Sequence, residues 1–486
     1  MRDLADLALD AARSAGASYA DVRIVRQRRE NLCAREERIQ NVHRSESLGV
    51  GVRCLLEGAW GFAASPRVGR DEAIRAVRSA AAVARANGAR FPFPVSLAPE
   101  PPHKDAWQTV MTKDPLKVPL ETKAGLLLAI NEAALSVRGA SYVTSFLNTV
   151  QEERYFASTE GSHIDQQITR LWPGFTVTAR DAATGDFVTR NGDHPPFQGG
   201  YEYLEEADLP SEAGRIAEEA VVKLRARPVE PGRFDLVVDP TNLWLTIHET
   251  IGHPAELDRA LGDEAGDAGG SFADPARAGT LRYGAEILNV TADRIMPGGL
   301  ATVAYDDEGV RARSWAIIRN GVFVDYATTR EWALRIGQEA SKGCAQADSW
   351  SSFPILRMPN ISLEPSSDPV GAEDLIAGVE EGLYIVGDGA WGVDVQRYEF
   401  QFGSGFARRI RGGKLAEAVR DVAYRSNALE FWNACDGIGG EASWEMGGTF
   451  FDSKGEPAQI NAVSHGTPVA RFRGVEVVDA GARRGG

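Results

Sequence analysis

The residues best suited to chemistry lie in one short stretch, HETIGH, where His248 and His253 flank Glu249, Thr250, Ile251 and Gly252. The whole chain has 7 histidines, so two of them this close, with a glutamate directly after the first, form a concentrated donor set. Imidazole nitrogen ligates zinc and related ions, and a neighbouring carboxylate can take a proton from water attacking a carbonyl. In the shorter HExxH pattern the two rings stand one turn apart on one helix face. HETIGH carries one residue more, and at ~100° per residue an ideal helix would splay its rings by about 140°. Chelation therefore needs a local departure from the α-helix. Gly252 tolerates irregular backbone, while Pro254 would meet the carbonyl of Thr250 and pushes His253 out of the α region. The helix is expected to unwind or bulge over 251–254, swinging His253 back towards His248. On an undistorted core helix, His248 and Glu249 would instead be satisfied buried polar groups.

Zinc takes a third protein ligand and keeps one position open. Glu256, His465, Cys344, Cys435 and any acidic residue of the β-rich unit are candidates, and spacing alone does not choose among them. His465, in SHGTP, also reads as a group supporting the site from behind or as a turn histidine bonded to backbone. Asp306, Asp307 and Glu308 form an acidic run ahead of Gly309, which reads as a solvated turn. The stretch 391–406 alternates as a strand does and reads as sheet, with a peptide-binding edge as the alternative. None of the four cysteines, at 33, 54, 344 and 435, has a nucleophile's context, and all read as structural.

The elements that must position HETIGH are legible around it. FDLVVDP (234–240) is a buried strand leading into the helix that carries the motif. Upstream, residues 2–15 are amphipathic, and two hairpins follow, the second turning at Glu57 and Gly58. A helix begins near Asp71, and the proline-rich stretch 90–105 reads as an extended linker. A helix over 120–139, several strands between Tyr142 and about Tyr203, and a helix over 211–226 make a second unit. The expected fold class is α+β: a two-part α/β N-terminal region (1–100 and 101–230) followed by a β-rich C-terminal metal-binding domain (231–486).

Length and composition agree with this. A chain of 486 residues has room for about three domains, and 43% hydrophobic with 25% charged residues is ordinary for a globular protein. The formal charge of −15 disfavours phosphate backbones and anionic lipid, so neither nucleic acid nor membrane is expected as a partner. The starting helix is broken by Asp3, Asp6 and Asp10 and lacks a signal peptide's apolar core, and no cysteine pairing is evident. A cytoplasmic location is expected.

At HETIGHPAELDRA the chain resembles the TldD/PmbA (modulator of DNA gyrase) family, specifically its TldD-like metallopeptidase branch. The resemblance extends to ASYADVR and GVGVRCLLEGAWGFA near the start, PGGLATVAYDDEGV (297–310), RMPNISLEP (357–365) and SHGTPVARFRGVEV (464–477), and so covers essentially the whole chain. It implies a zinc-dependent peptidase acting on small or unfolded peptides, as a homodimer or a heterodimer with a PmbA/TldE-like paralogue. By carry-over His248 and His253 are zinc ligands and Glu249 is the general base; Glu256 and His465, read from the residues alone, are candidate supporting groups. The family's third ligand is a cysteine in a C-G-K type turn. Here TFFDSKGEPAQ places Asp452 at that position, followed by Lys454 and Gly455. A carboxylate still completes a zinc site, although its harder oxygen also suits manganese or iron(II). The same departure fits a catalytically silent subunit that serves as a peptide-binding or partner scaffold. A hydrolase of non-peptide amides is a third class that the motif admits.

Overall fold

A computed structural model describes residues 1–88, 94–264 and 269–481. The N-terminal half is built on one long sheet. Its elements are α1 (Arg2–Ser14), β1 (Tyr19–Arg35), β2 (Arg38–Leu56), β3 (Ala59–Ser65), α2 (Arg70–Gly88), β4 (Lys104–Gln108), α3 (Leu120–Leu135), β5 (Ala140–Ser158), β6 (His163–Arg180), β7 (Phe187–Asn191), β8 (Phe197–Gln198), α4 (Glu202–Glu206) and α5 (Leu209–Arg225). The strand order is β3-β2-β1-β5-β6-β4, with β7 and β8 also on β6. Strands from the first and second segments therefore share a sheet, because β1 pairs β5 from Asp21↔Ser158 to Arg35↔Thr144.

Alternation along β1 decides what each face meets. Val22 and Ile24 turn to a cluster with α1 and α2, and Leu32 and Ala34 to a second cluster with α3 and α5. The helices bury small residues, Ala5, Ala8 and Ala12 in α1 and Ala73, Ala76 and Ala80 in α2, which lets them lie close to the sheet. At Gly61 a Cβ would come 1.9 Å from the carbonyl oxygen of Ala80, so only glycine fits under α2.

The other face is charged and buried against the C-terminal domain. Arg53 donates to Asp21 at 2.6 and 2.9 Å and to Glu308 at 3.3 Å. Asp307 pairs with Arg23 at 3.7 Å and Arg154 at 3.5 Å. Asp306 accepts the amides of Glu308, Val310 and Ala345, and burial pushes its carboxyl up to about 7. The acidic run expected to be a solvated turn is thus buried: Asp307 and Glu308 are counter-charges to the sheet's arginines, and Asp306 is an acceptor for backbone amides. At Gly49 a Cβ would strike the Trp350 ring at 2.2 Å, and that bare position lets the domain lie flat on β2.

The C-terminal domain is β-rich, as expected. β9 (Arg227–Pro228) and β10 (Gly232–Val238) lead to α6 (Pro240–Ile247). β10 and the strands Ala470–Asp479, Val422–Asn427, Glu399–Arg411 and Glu381–Val393 form a ring in which the last pairs with both β10 and Glu399–Arg411, closing a barrel. Asp239 caps α6 by accepting from the Thr241 amide, and Pro240 sits where no amide donor is needed. Asn242 ties α6 to the barrel by donating to the carbonyls of Gly387 and Gly403 at 2.8 and 2.9 Å. A four-stranded sheet and the hairpin Glu445–Lys454/Gln459–Thr467 complete the domain.

The expected linker is corrected in part. Residues 94–103 carry no regular structure, but Lys104–Gln108 forms β4, parallel to β6, while residues 90–93 lie outside the described residues.

Breaking the buried charge set should cost far more than breaking a surface pair. Arg53→Met leaves Asp21 and Glu308 uncompensated and is expected to destabilise by about 3–5 kcal/mol. Arg425→Ala, at the exposed pair with Glu476, is expected to leave stability nearly unchanged, because solvent screens the pair. Thermal unfolding of both variants checks this, and equal midpoint shifts would refute it.

Candidate metal centre

The helix carrying HETIGH changes pitch where the chemistry requires it. After α6, residues His248–Gly252 form a π turn in which the His253 amide donates to the His248 carbonyl, and His253–Ala255 then tightens into a 3₁₀ turn. The i→i+5 bond brings His253 back over His248, and the ring centroids lie 4.7 Å apart. The irregularity begins earlier than the expected 251–254 and includes His248 itself, and His253, expected to leave the α region ahead of Pro254, keeps α-region backbone with φ −63° and ψ −42°. Pro254 has no amide to offer the carbonyl of Thr250, which instead accepts from the Tyr283 hydroxyl. Trp432 Nε1 donates to Thr250 Oγ1 at 2.9 Å, so the widened turn is held from both sides.

The hairpin supplies the rest. Asp452 Oδ1 lies 3.8 Å from His248 Nε2 and 3.7 Å from His253 Nε2. Among the described residues, His248, His253 and Asp452 are the one group of three potential donors converging on a common point, with ligand atoms within 4.8 Å of one another. Tetrahedral bonds of about 2.0–2.2 Å place zinc ligands roughly 3.3–3.6 Å apart, so this set fits a small divalent ion with little movement. Cys344 and Cys435 do not join it. Both are free thiols pushed up to about 12 by burial.

Hydrogen bonds fix which nitrogen each imidazole offers. His465 Nδ1 faces the carbonyl of Ile361 at 3.0 Å, and a carbonyl can only accept. Burial holds His465 down at about 4, so the ring is neutral and its Nε2 is an acceptor. His248 Nδ1, 2.8 Å away, must then donate to it, which leaves His248 Nε2 with a lone pair towards Asp452. On the other side His253 Nδ1 donates to Glu256 Oε2 at 2.8 Å, freeing its Nε2. Burial, aided by His465 and Arg397 for the first and Arg259 for the second, holds His248 and His253 well below the usual histidine range. Both rings are therefore neutral at pH 7, each with a free Nε2 lone pair. Glu256 and His465 thus stand behind the two histidines rather than among the converging donors.

Glu256 is itself secured. It accepts from Arg259 Nε at 2.7 Å and Lys454 Nζ at 3.0 Å, and Lys454 also reaches Asp258 at 2.8 Å. Asp452 is oriented by Arg357, whose Nη2 donates to Oδ2 at 2.7 Å and to the Asp452 carbonyl at 2.6 Å. Glu249 faces the same space, 3.9 Å from His253 Nε2, and is paired with Arg397. Burial pushes Glu249 up to about 7 against the pull of Arg397. Sequence reasoning did not find Arg397, Arg357 or Tyr283. Arg397 sits in the turn joining Glu381–Val393 to Glu399–Arg411 with φ at 62°, and nothing in a local pattern marks such a residue.

Family models match along the chain: residues 20–84 as PmbA/TldA metallopeptidase domain 1, 113–227 as the central domain and 231–479 as the C-terminal domain. The chain belongs to the PmbA/TldD family of metallopeptidases. A metalloprotease of Methanothermobacter thermautotrophicus is 29% identical over 94% of this chain and 95% of its own length. The zinc metalloprotease TldD homologue of Saccharolobus solfataricus is 24% identical over 95% of this chain and 97% of its own. In fold the chain is similar to a candidate DNA gyrase modulator from Thermotoga maritima, with TM-score 0.76 at 15% identity over 98% of this chain and all of the other. It is also similar to TldE from Thermococcus kodakarensis, with TM-score 0.72 at 18% identity over 97% of this chain and 98% of that one. No helix among the described residues is long and apolar enough to cross a membrane.

The groups behind His248 and His253 should tune metal affinity without abolishing it. Glu256→Gln and His465→Phe are each expected to weaken zinc binding about 10–100-fold, while His248→Ala, His253→Ala and Asp452→Ala reduce it below one equivalent. Competition with a chromogenic chelator measures this, and unchanged affinity in Glu256→Gln would count against the assignment of His253 Nε2 as the donor.

Proposed function

We propose that this chain is a zinc-dependent metallopeptidase that hydrolyses small or unfolded peptides through its HExxxH centre. The observation that carries the proposal is the convergence of two neutral imidazole Nε2 atoms and Asp452 Oδ1, with Glu249 beside them. Zinc is the ion assigned, and the set of two histidines and one carboxylate also suits manganese or iron(II). When bound, the ion would supply Lewis acidity that polarises a scissile carbonyl and eases the ionisation of water. The remaining work falls to the chain. His248 and His253 would hold the ion through Nε2, their orientations set by His465 and Glu256. Arg357 would keep Asp452 Oδ1 turned inwards. Glu249, poised near 7, would accept the proton of the attacking water and return it to the leaving amine, with Arg397 holding its carboxylate towards the substrate carbonyl. Relatives named metalloproteases support the reading. For the assembly we infer a homodimer or a pairing with a TldE-like paralogue, to which the likeness to TldE lends support.

A second reading also rests on an observation. Glu249 is engaged by Arg397 and Asp452 by Arg357, as they would be in a silent subunit whose polar groups are permanently satisfied.

Purified protein, alone and with its paralogue, separates the two. Glu249→Gln is expected to retain one equivalent of zinc while peptide turnover falls about 10²–10⁴-fold. Wild-type protein that binds no zinc after growth in replete medium, or that shows no turnover with or without its paralogue, would support the silent scaffold instead, and turnover that survives Glu249→Gln would remove Glu249 from the mechanism.

A further inference from the structure

Beside the metal centre lies a cavity of about 370 Å³ between the N-terminal sheet and the hairpin that carries Asp452. Trp244 forms the shared wall: its ring is 6.2 Å from that of His465 and 6.4 Å from that of His248, and it lines the cavity. Trp172, Phe146 and Phe451 contribute aromatic faces, with Trp172 packed on Phe451 at 5.4 Å. The charged side chains in the lining are Asp193, Asp388 and Glu445, and no Lys or Arg lines it. Asp193 is already paired with Arg190 and Arg215. Asp388 and Glu445 form no ion pair among the described residues.

Asp388 is the unusual member. It sits at a bulge where the pairing of Glu381–Val393 with Glu399–Arg411 shifts register between Asp388 and Trp391. Its Oδ1 is buried without a hydrogen-bond partner, and so is Nε2 of His194, another lining residue. A buried carboxylate oxygen with no donor is costly unless something else supplies one. Burial and the nearby Asp193 push the Asp388 carboxyl up to about 8, against the pull of Arg190 and a hydrogen bond from Trp244, so its carboxylate form gains most from a ligand that brings its own positive charge. Aromatic faces with acidic groups at one end are the environment in which an alkyl-ammonium or guanidinium is stabilised.

We propose that this cavity is a specificity subsite for a basic residue of the peptide, with the charge of a Lys or Arg side chain meeting Asp388 and Glu445 and its stem lying against Trp244, Trp172 and Phe451. The subsite rests on the peptidase reading, because Trp244 connects it to the proposed ligands. Asp388 and Glu445 then set which peptides reach the metal centre and take no part in the chemistry.

The test uses zinc-loaded Glu249→Gln protein, with its paralogue if that is required for assembly, and measures peptide binding by fluorescence polarisation, so that it does not depend on turnover. Three labelled peptides differ at one position only, carrying Lys, norleucine or Glu, each with a free or an acetylated N-terminus. The Lys peptide is expected to bind at least tenfold tighter than the norleucine peptide whether or not the N-terminus is acetylated. Asp388→Asn should bring that ratio to within about twofold of one, whereas a merely structural role would weaken all peptides alike and leave the ratio intact. Glu445→Lys, at an exposed position, should shift preference towards Glu. Equal affinities for Lys and norleucine in the parent protein overturn the proposal, as does a preference lost on N-terminal acetylation, which would assign the cation to the α-amine. If selective binding is found but wild-type protein cleaves none of these peptides, the peptidase reading fails and the subsite stands.

Discussion

Two imidazoles with four residues between them cannot share a ligand on a regular helix, and much of the C-terminal domain is arranged around that constraint. The π turn resolves it by replacing an i→i+4 bond with an i→i+5 bond from the His253 amide to the His248 carbonyl. Widening a helix strands polar backbone groups, and each must find a partner in the interior. The Thr250 carbonyl, facing a proline nitrogen, takes the Tyr283 hydroxyl, and the Thr250 side chain takes Trp432. Both aromatics belong to the main core cluster, so the packing that stabilises the domain also holds the turn in its irregular form. Gly252 has a part of its own, since a Cβ there would come 2.5 Å from Met358 Sδ.

The second requirement is electrical. Burial keeps both imidazoles neutral, as the proposed coordination needs, but it also makes every nearby carboxylate costly. The domain answers with matched cations: Lys454 between Glu256 and Asp258, Arg259 on Glu256, Arg357 on Asp452 and Arg397 on Glu249. These cations come from four separate segments. The site is therefore as much a convergence of strand ends and loops as a property of one helix, and the hairpin carrying Asp452, Lys454 and His465 contributes to both sides of it.

What the sequence made legible follows from how local each cause is. The helix distortion could be anticipated because glycine, proline and the six-residue motif are adjacent, and the hairpin turn at Glu57 and Gly58 because it needs left-handed backbone at two neighbouring residues. The three-residue convergence depends on Asp452, some two hundred positions from His253, and only resemblance pointed there. Arg397 and Arg357 carried no local signal, since an arginine in a turn or beside a strand looks the same whether it meets water or a buried carboxylate. The acidic run at 306–308 departs from its expected place at the surface for the same reason. Its local pattern is that of a surface turn, and its burial is decided by arginines at 23, 53 and 154.

Those arginines also explain why the first two segments, which carry none of the converging donors, bear on the site. A sheet face lined by Asp21, Arg23, Arg53 and Arg154 cannot pack against an apolar surface without leaving charges unpaired. It accepts only a partner presenting Asp307 and Glu308 at the right positions. Hydrophobic contact alone would permit sliding, whereas this pattern of charge fixes one register between sheet and C-terminal domain. The same sheet donates Arg170 to the carbonyl of Leu300, whose amide is bonded to Ser464, the neighbour of His465. Position is thus passed from a charged sheet face, through two hydrogen bonds, to the strand whose histidine orients His248. The N-terminal region contributes geometry to the candidate metal centre without contributing a ligand.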